Sequence, residues 1–184
     1  KMPFHLVYLH ALLKGKDGQK MSKSIGNVAS LEYYLEKFGA DVTRMALVSQ
    51  TASSEDFYFS EEQLQPFQDF SGQLWKLAKF IDVINNYYID LSKNSELPPE
   101  DEKILLGLDN LVRTTGVSIK KYMFAFAQEK VCNFILTLEE YKKSMESEGD
   151  VETSMALLHQ MFEKYLIILH PFMPFMTEEL YGTL

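Results

Sequence analysis

Between Phe67 and Leu91 the large apolar residues stand at Phe67, Phe70, Leu74, Leu77, Ile81, Ile84, Tyr88 and Leu91, at spacings that alternate between three and four. That period keeps one stripe of a helix apolar, so the segment must bury a seam against other helices. Three further seams follow. The first runs Ile104, Leu108, Leu111, Thr115, Ile119, Tyr122, weakened by Gly107 and Gly116. The next runs Phe124, Ala127, Val131, Phe134, Leu138, Tyr141, Met145, and the last Met155, Leu158, Phe162, Tyr165, Leu169. A linker at 92–99, ending in two prolines, and a polar stretch at 146–150 leave only short connections. Four long amphipathic helices so joined predict a mainly α fold, an antiparallel helical bundle. Each large side chain buried contributes roughly 1.5–3 kcal/mol, so the seams predict an autonomous core. His170-Pro171 then breaks the chain, and Pro174 opens a last short helix.

The segment before the bundle reads differently. Leu6 to Leu13 is an apolar run with Val and Tyr, which predicts a buried strand running into Gly15. Asp17-Gly18 signals a turn. Ser30 is placed to cap a short helix ending at Gly39, and Asp41 to start the next one, where the helix dipole favours a carboxylate. Phe57-Tyr58-Phe59 reads as a short strand, and Ser60 with Gln63 as a capping box opening the first bundle helix. A small α/β connector thus precedes the bundle.

Within that connector lies Lys20-Met21-Ser22-Lys23-Ser24, followed by Ile25-Gly26-Asn27. Two ammonium groups three positions apart, with a hydroxyl on either side of the second, can hold a polyphosphate. Each lysine is a point charge on a long stem that can follow moving oxygens, and the hydroxyls and backbone N–H groups add donors. The role this predicts for Lys20 and Lys23 is electrostatic stabilisation of phosphate charge. Met21 would anchor the loop or pack near a base, and Gly26 would supply a positive φ or a close backbone approach. Gly15-Lys16-Asp17-Gly18-Gln19-Lys20 does not meet the P-loop spacing.

The ordered string Lys-Met-Ser-Lys-Ser-x-Gly-Asn resembles the signature loop of class I aminoacyl-tRNA synthetases. Pro3-Phe4, Val7 and His10 are similar to a run preceding that loop in the subclass for branched aliphatic amino acids, with Ala11 where the family usually has Gly. Gly39-Ala40-Asp41-x-x-Arg44 is similar to the helix start that follows, and Ser60-Glu61-Glu62 with Phe70 to Trp75 to the first helix of the anticodon-binding domain. The stretch from His170 to Leu180 resembles the valyl members most. Ala29-Ser30 and Tyr181 depart from the pattern, as does Phe134 to Lys143, which lacks an expected Trp and a Tyr-Glu pair.

What the resemblance implies is a C-terminal piece of a larger enzyme that uses ATP and Mg2+ to activate valine as an aminoacyl-adenylate and transfers it to tRNA. It implies that Lys20, Met21, Ser22, Lys23 and Ser24 bind ATP, with Lys20 and Lys23 catalytic. The corresponding division is 1–28, the end of a catalytic Rossmann-type domain with the loop; 29–62, a stem-contact-type connector; and 63–184, the anticodon-binding bundle. The chain has no His-x-Gly-His segment, no Gly-rich first turn and no editing domain, so the isolated 184-residue piece is expected to be inactive. Isoleucyl and leucyl members remain alternatives, as does a noncatalytic helical module that binds tRNA or protein.

Charge limits the partners. Residues 1–24 carry five Lys against one Asp, a net of +4, while the remainder carries 13 basic against 25 acidic side chains, a net of −12. The basic end suits ATP, and the acidic bulk excludes a general nucleic-acid binder. A tRNA would have to be met locally, and Lys76 with Lys79 and Lys120 with Lys121 are the candidate pairs, although solvated helix faces commonly carry such lysines. Lys142-Lys143 is a third pair, and Trp75 reads as core or bundle edge. His5 and His10 lie on a predicted strand without metal-ligand spacing, so no metal site is expected. His170 is placed to cap a helix end. One cysteine, Cys132, fits a reducing, cytoplasmic location and a buried apolar role. The longest apolar stretch, Tyr165 to Met176, is broken by His170, Pro171 and Pro174 and cannot span a bilayer.

Overall fold

The computed structural model describes residues 3–15, 18–22, 24–26, 30–52, 56–84, 98–145 and 151–184. Two short strands, β1 (Leu13–Lys14) and β2 (Phe57–Tyr58), pair in parallel with Leu13 opposite Phe57. Helices α1 (Leu31–Phe38) and α2 (Ala40–Ser49) lie between them in sequence. The bundle follows as α3 (Gln65–Ile84), α4 (Pro99–Lys120), α5 (Phe124–Met145) and α6 (Val151–Leu169), closed by α7 (Pro174–Thr183). The seam positions Tyr88 and Leu91, and the connections at 92–97 and 146–150, lie outside the described residues.

The seams form the core. Leu74, Ile81, Leu108, Val131, Leu138, Leu158, Phe162, Tyr165 and Leu169 are all buried in one cluster. Helix α4 packs on α5 and α6, α3 packs on α5 and α6, and α7 lies across α6 and α2. Trp75 stands at the bundle edge, 37% exposed. A second cluster of Tyr34, Val42, Ala46, Phe59 and Leu64 sits under the connector. Helix α2 joins the two clusters, since Met45 belongs to the first while Val42 and Ala46 belong to the second. The Gln128 amide fastens this join by donating to the Met45 carbonyl at 2.9 Å.

Local signals account for the ends of the elements. Ser30 caps α1, its hydroxyl accepting from the Tyr33 N–H, and Gly39 ends the helix at φ 82°. The Ser60 N–H donates to Gln63 Oε1 at 2.8 Å, and this box opens a 3-10 turn, Glu61–Gln63, that leads into α3. Asp41 does more than start α2. Its Oδ2 accepts from the Met176 N–H at 2.7 Å, 135 residues away, and so caps the first turn of α7.

Three expectations are corrected. Among the described residues the run Leu6 to Leu13 is not a buried strand: only Leu13 belongs to one, and Leu6, Val7 and Leu9 are exposed in this chain. A strand needs a neighbour for its backbone N–H and C=O groups, and β2 offers two residues only. Tyr122 continues the period of α4 but is not in the core. The helix ends at Lys120, and Tyr122 takes φ 61° at 44% exposure. Its N–H donates to the Ile119 carbonyl at 3.0 Å and the Met123 N–H to the Ser118 carbonyl at 2.9 Å, a closure whose left-handed position ordinarily favours glycine. The His170 imidazole does not cap carbonyls; its Nδ1 meets the Thr177 hydroxyl at 2.8 Å, and that hydroxyl donates to the Met173 carbonyl.

Candidate phosphate-binding loop

The loop leaves β1 as one arm of a hairpin. The Gly15 N–H donates to the Gln19 carbonyl at 2.9 Å, Lys14 and Lys20 face each other in an antiparallel bridge, and the Met21 N–H donates to the Leu13 carbonyl at 3.1 Å. These bonds fix where Lys20 leaves the hairpin, with its side chain exposed. Met21 is half-buried against the connector cluster of Tyr34, Val42, Ala46, Phe59 and Leu64, which anchors the loop at that point. Beyond it the chain turns. The Ile25 and Gly26 N–H groups both donate to the Ser22 carbonyl, at 3.1 and 3.2 Å, and Gly26 takes φ 76°. No heavy atom lies within 4 Å of a Cβ built on Gly26, so the backbone angle and not a close approach requires glycine there.

Within the turn, the Ser22 and Ser24 hydroxyls stand 2.8 Å apart. Ser24 is exposed, and a hydroxyl both donates and accepts. The structure therefore brings Lys20, Met21, Ser22 and Ser24 together on one hairpin and turn. Lys23 lies outside the described residues. A cation, two hydroxyls and a turn of small residues form a donor set suited to phosphate oxygens.

The other arm of β1 is held by charge. Lys14 Nζ lies 3.1 Å from Asp56 Oδ2, and Asp56 Oδ1 accepts from the Leu12 N–H at 3.1 Å. The Lys14 ammonium, and then the Leu12 N–H, hold the Asp56 carboxyl below its ordinary range. A second clamp ties α1 to the 3-10 turn: Lys37 Nζ sits 2.6 Å from Glu61 Oε2 and 3.0 Å from the Tyr33 hydroxyl. The β1 clamp is legible only in three dimensions, because Asp56 and Leu12 are 44 residues apart.

Lys76 and Lys79 are exposed on α3, and Lys120 and Lys121 are exposed at the end of α4. Lys142 does not belong with them: its Nζ lies 3.9 Å over the Phe80 ring and joins α5 to α3. Burial, and then the Glu129 carboxylate, push the Cys132 thiol up to about 12, so it stays protonated and is no nucleophile. Among the described residues, no group of three His, Cys, Asp or Glu could hold a metal ion. The His10 ring meets the neighbouring Ala11 carbonyl instead. Nor is any helix of the described residues long and apolar enough to cross a membrane.

Residues 1–60 match the family model of tRNA synthetases class I (I, L, M and V), and residues 101–184 match that of the anticodon-binding domain of tRNA ligase. The chain is 31% identical to a valine–tRNA ligase of Aquifex aeolicus, over 100% of this chain and 18% of that protein. It is also 31% identical to the valine–tRNA ligase of Mycoplasmoides gallisepticum, over 99% of this chain and 21% of that one. The chain thus spans about a fifth of the length of the curated relatives it matches. A ternary LeuRS–tRNA–LeuAMS complex from Agrobacterium radiobacter superposes with a TM-score of 0.79 at 21% identity, covering 96% of this chain and 22% of that one. Mycobacterium tuberculosis methionyl-tRNA synthetase with methionyl-adenylate gives 0.73 at 19% identity, over 93% and 36%. At these identities the likeness is one of fold.

Proposed function

Since the chain belongs to the class I tRNA synthetases, we propose that the whole protein is an aminoacyl-tRNA ligase that activates valine with ATP and passes it to tRNA in the cytoplasm. The observation that carries this reading is the hairpin-anchored turn that gathers Lys20, Ser22 and Ser24 around small residues. The amino-acid carboxylate attacks the α-phosphorus, the bond to the bridging oxygen breaks, and pyrophosphate leaves with the electron pair. Lys20 and Lys23 meet the negative charge that grows on that leaving group, and the serine hydroxyls and backbone hold its oxygens. Magnesium would ride on the nucleotide's phosphates, the usual arrangement where the protein supplies no cage.

In this reading residues 1–28 close the catalytic domain, 29–62 form the connector, and 63–184 are the anticodon-binding bundle. The tRNA meets the bundle at exposed lysines, with Lys76, Lys79, Lys120 and Lys121 the candidates. The amino-acid pocket belongs to the remainder of the protein. The test is amino-acid-dependent ATP–pyrophosphate exchange by the full-length protein with valine, isoleucine and leucine. Exchange led by valine supports the assignment. Exchange led by isoleucine or leucine corrects the substrate, and none with any of the three refutes the activity.

A further inference from the structure

Tyr122 is the only non-glycine residue with a positive φ among the described residues, and the turn it occupies is one that glycine fills more easily. Something other than the helix end must favour a tyrosine there. The ring supplies it. Tyr122 stacks on Tyr8 with centroids 5.9 Å apart and planes at 29°. Tyr8 meets Phe124 edge-on at 5.6 Å, and Tyr122 meets Phe124 edge-on at 6.1 Å. The three rings form a closed triangle, each pair in a geometry that aromatic quadrupoles favour.

The triangle joins two distant parts of the chain. Tyr122 and Phe124 flank the corner between α4 and α5, while Tyr8 belongs to the irregular segment before β1. Within this chain Leu6, Val7 and Leu9 are 56%, 68% and 86% exposed, whereas Tyr8 is 39% and Ala11 7%. Five residues after Tyr8, the Leu13 carbonyl accepts from the Met21 N–H, the bond that seats the phosphate-binding turn. A path of one ring stack, a short run of chain and one hydrogen bond therefore leads from the bundle corner to the loop.

We propose that Tyr8, Tyr122 and Phe124 form an aromatic latch that positions the turn carrying Lys20, Ser22 and Ser24 by pinning the segment before β1 to the α4–α5 corner. Tyr8 and Tyr122 are positioning residues, and the left-handed backbone at Tyr122 is retained for its ring. The latch serves the loop to which the reading above assigns phosphate chemistry, and it can be tested with no turnover at all.

The experiment is amide hydrogen exchange on the full-length protein, wild type against Tyr122→Gly, Tyr122→Phe and Tyr8→Ala. A residue that merely ends α4 predicts that Tyr122→Gly leaves exchange at 18–26 unchanged, since glycine suits the turn. The latch predicts that Tyr122→Gly and Tyr8→Ala each speed exchange at 18–22 and 24–26 by roughly three- to tenfold, the factor expected for losing one ring pair. It also predicts that the interiors of α4 and α5 stay protected and that Tyr122→Phe behaves as wild type. Unchanged exchange at the loop in Tyr8→Ala overturns the latch, whatever Tyr122→Gly does to the helix end.

Discussion

A single oxygen shows how much rests on individual side chains. Asp101 is 2% exposed in the first turn of α4, and its Oδ1 is held by the Tyr141 hydroxyl. Tyr141→Phe removes that donor and leaves a buried carboxylate unpaired, at a cost of about 1–3 kcal/mol, to be read from urea denaturation. Asp41→Ala removes the acceptor for the Met176 N–H and costs about 1 kcal/mol, whereas Asp41→Asn, which keeps an oxygen, costs less. Neither partnership was legible in the sequence, where 40 and 135 residues separate the partners and nothing periodic joins them. The positive φ at Gly26 was legible because the loop is a contiguous string. Burial, and then the Asp101 hydrogen bond, raise the Tyr141 phenol above its ordinary 10.0, and burial raises Tyr165 well above it too. The folded state therefore holds protons that the unfolded state releases above about pH 10. Stability from these groups is complete below that pH and is lost as pH rises toward the folded values. The urea midpoint should fall steeply in that range, and Tyr141→Phe with Tyr165→Phe should flatten the fall.

At the scale of elements, helices were read well and the first strand was not. A helix satisfies its own backbone, so the seams of α5 and α6 carried their assignment within the local period. A strand depends on a neighbour, and among the described residues the apolar run at Leu6–Leu13 finds only β2. Tyr122 was misread for a related reason: apolar spacing continued past Lys120, and spacing does not report φ. The short β1 therefore leans on the Asp56 clamp. Because that carboxyl titrates below its ordinary 3.8, the clamp is intact above that pH and is lost as pH falls through the lower folded value. The Leu12 amide proton, which donates to Asp56, should shift across that fall in an NMR titration. In Asp56→Asn it should not.

For the whole molecule, the core predicts that the 184-residue chain folds by itself into a helical structure, checked by circular dichroism, while the proposed function, which puts the amino-acid pocket in the remainder of the protein, predicts that it forms no adenylate. Its acidic bulk predicts weak tRNA binding with a shallow salt dependence. About two to four phosphate contacts, each adding roughly 0.9 to the log–log slope, should suffice to describe it. A steep slope with tight binding to unrelated RNA would contradict a local basic patch. The central claim is that the loop acts as pyrophosphate leaves, and single-turnover kinetics of the full-length Lys23→Ala variant test it most directly. Adenylate formation should slow by about 10²–10³, with Lys20→Ala costing less, while transfer from preformed adenylate to tRNA proceeds nearly unchanged. Intact adenylate formation with slowed transfer would contradict the account and place the loop's action on tRNA.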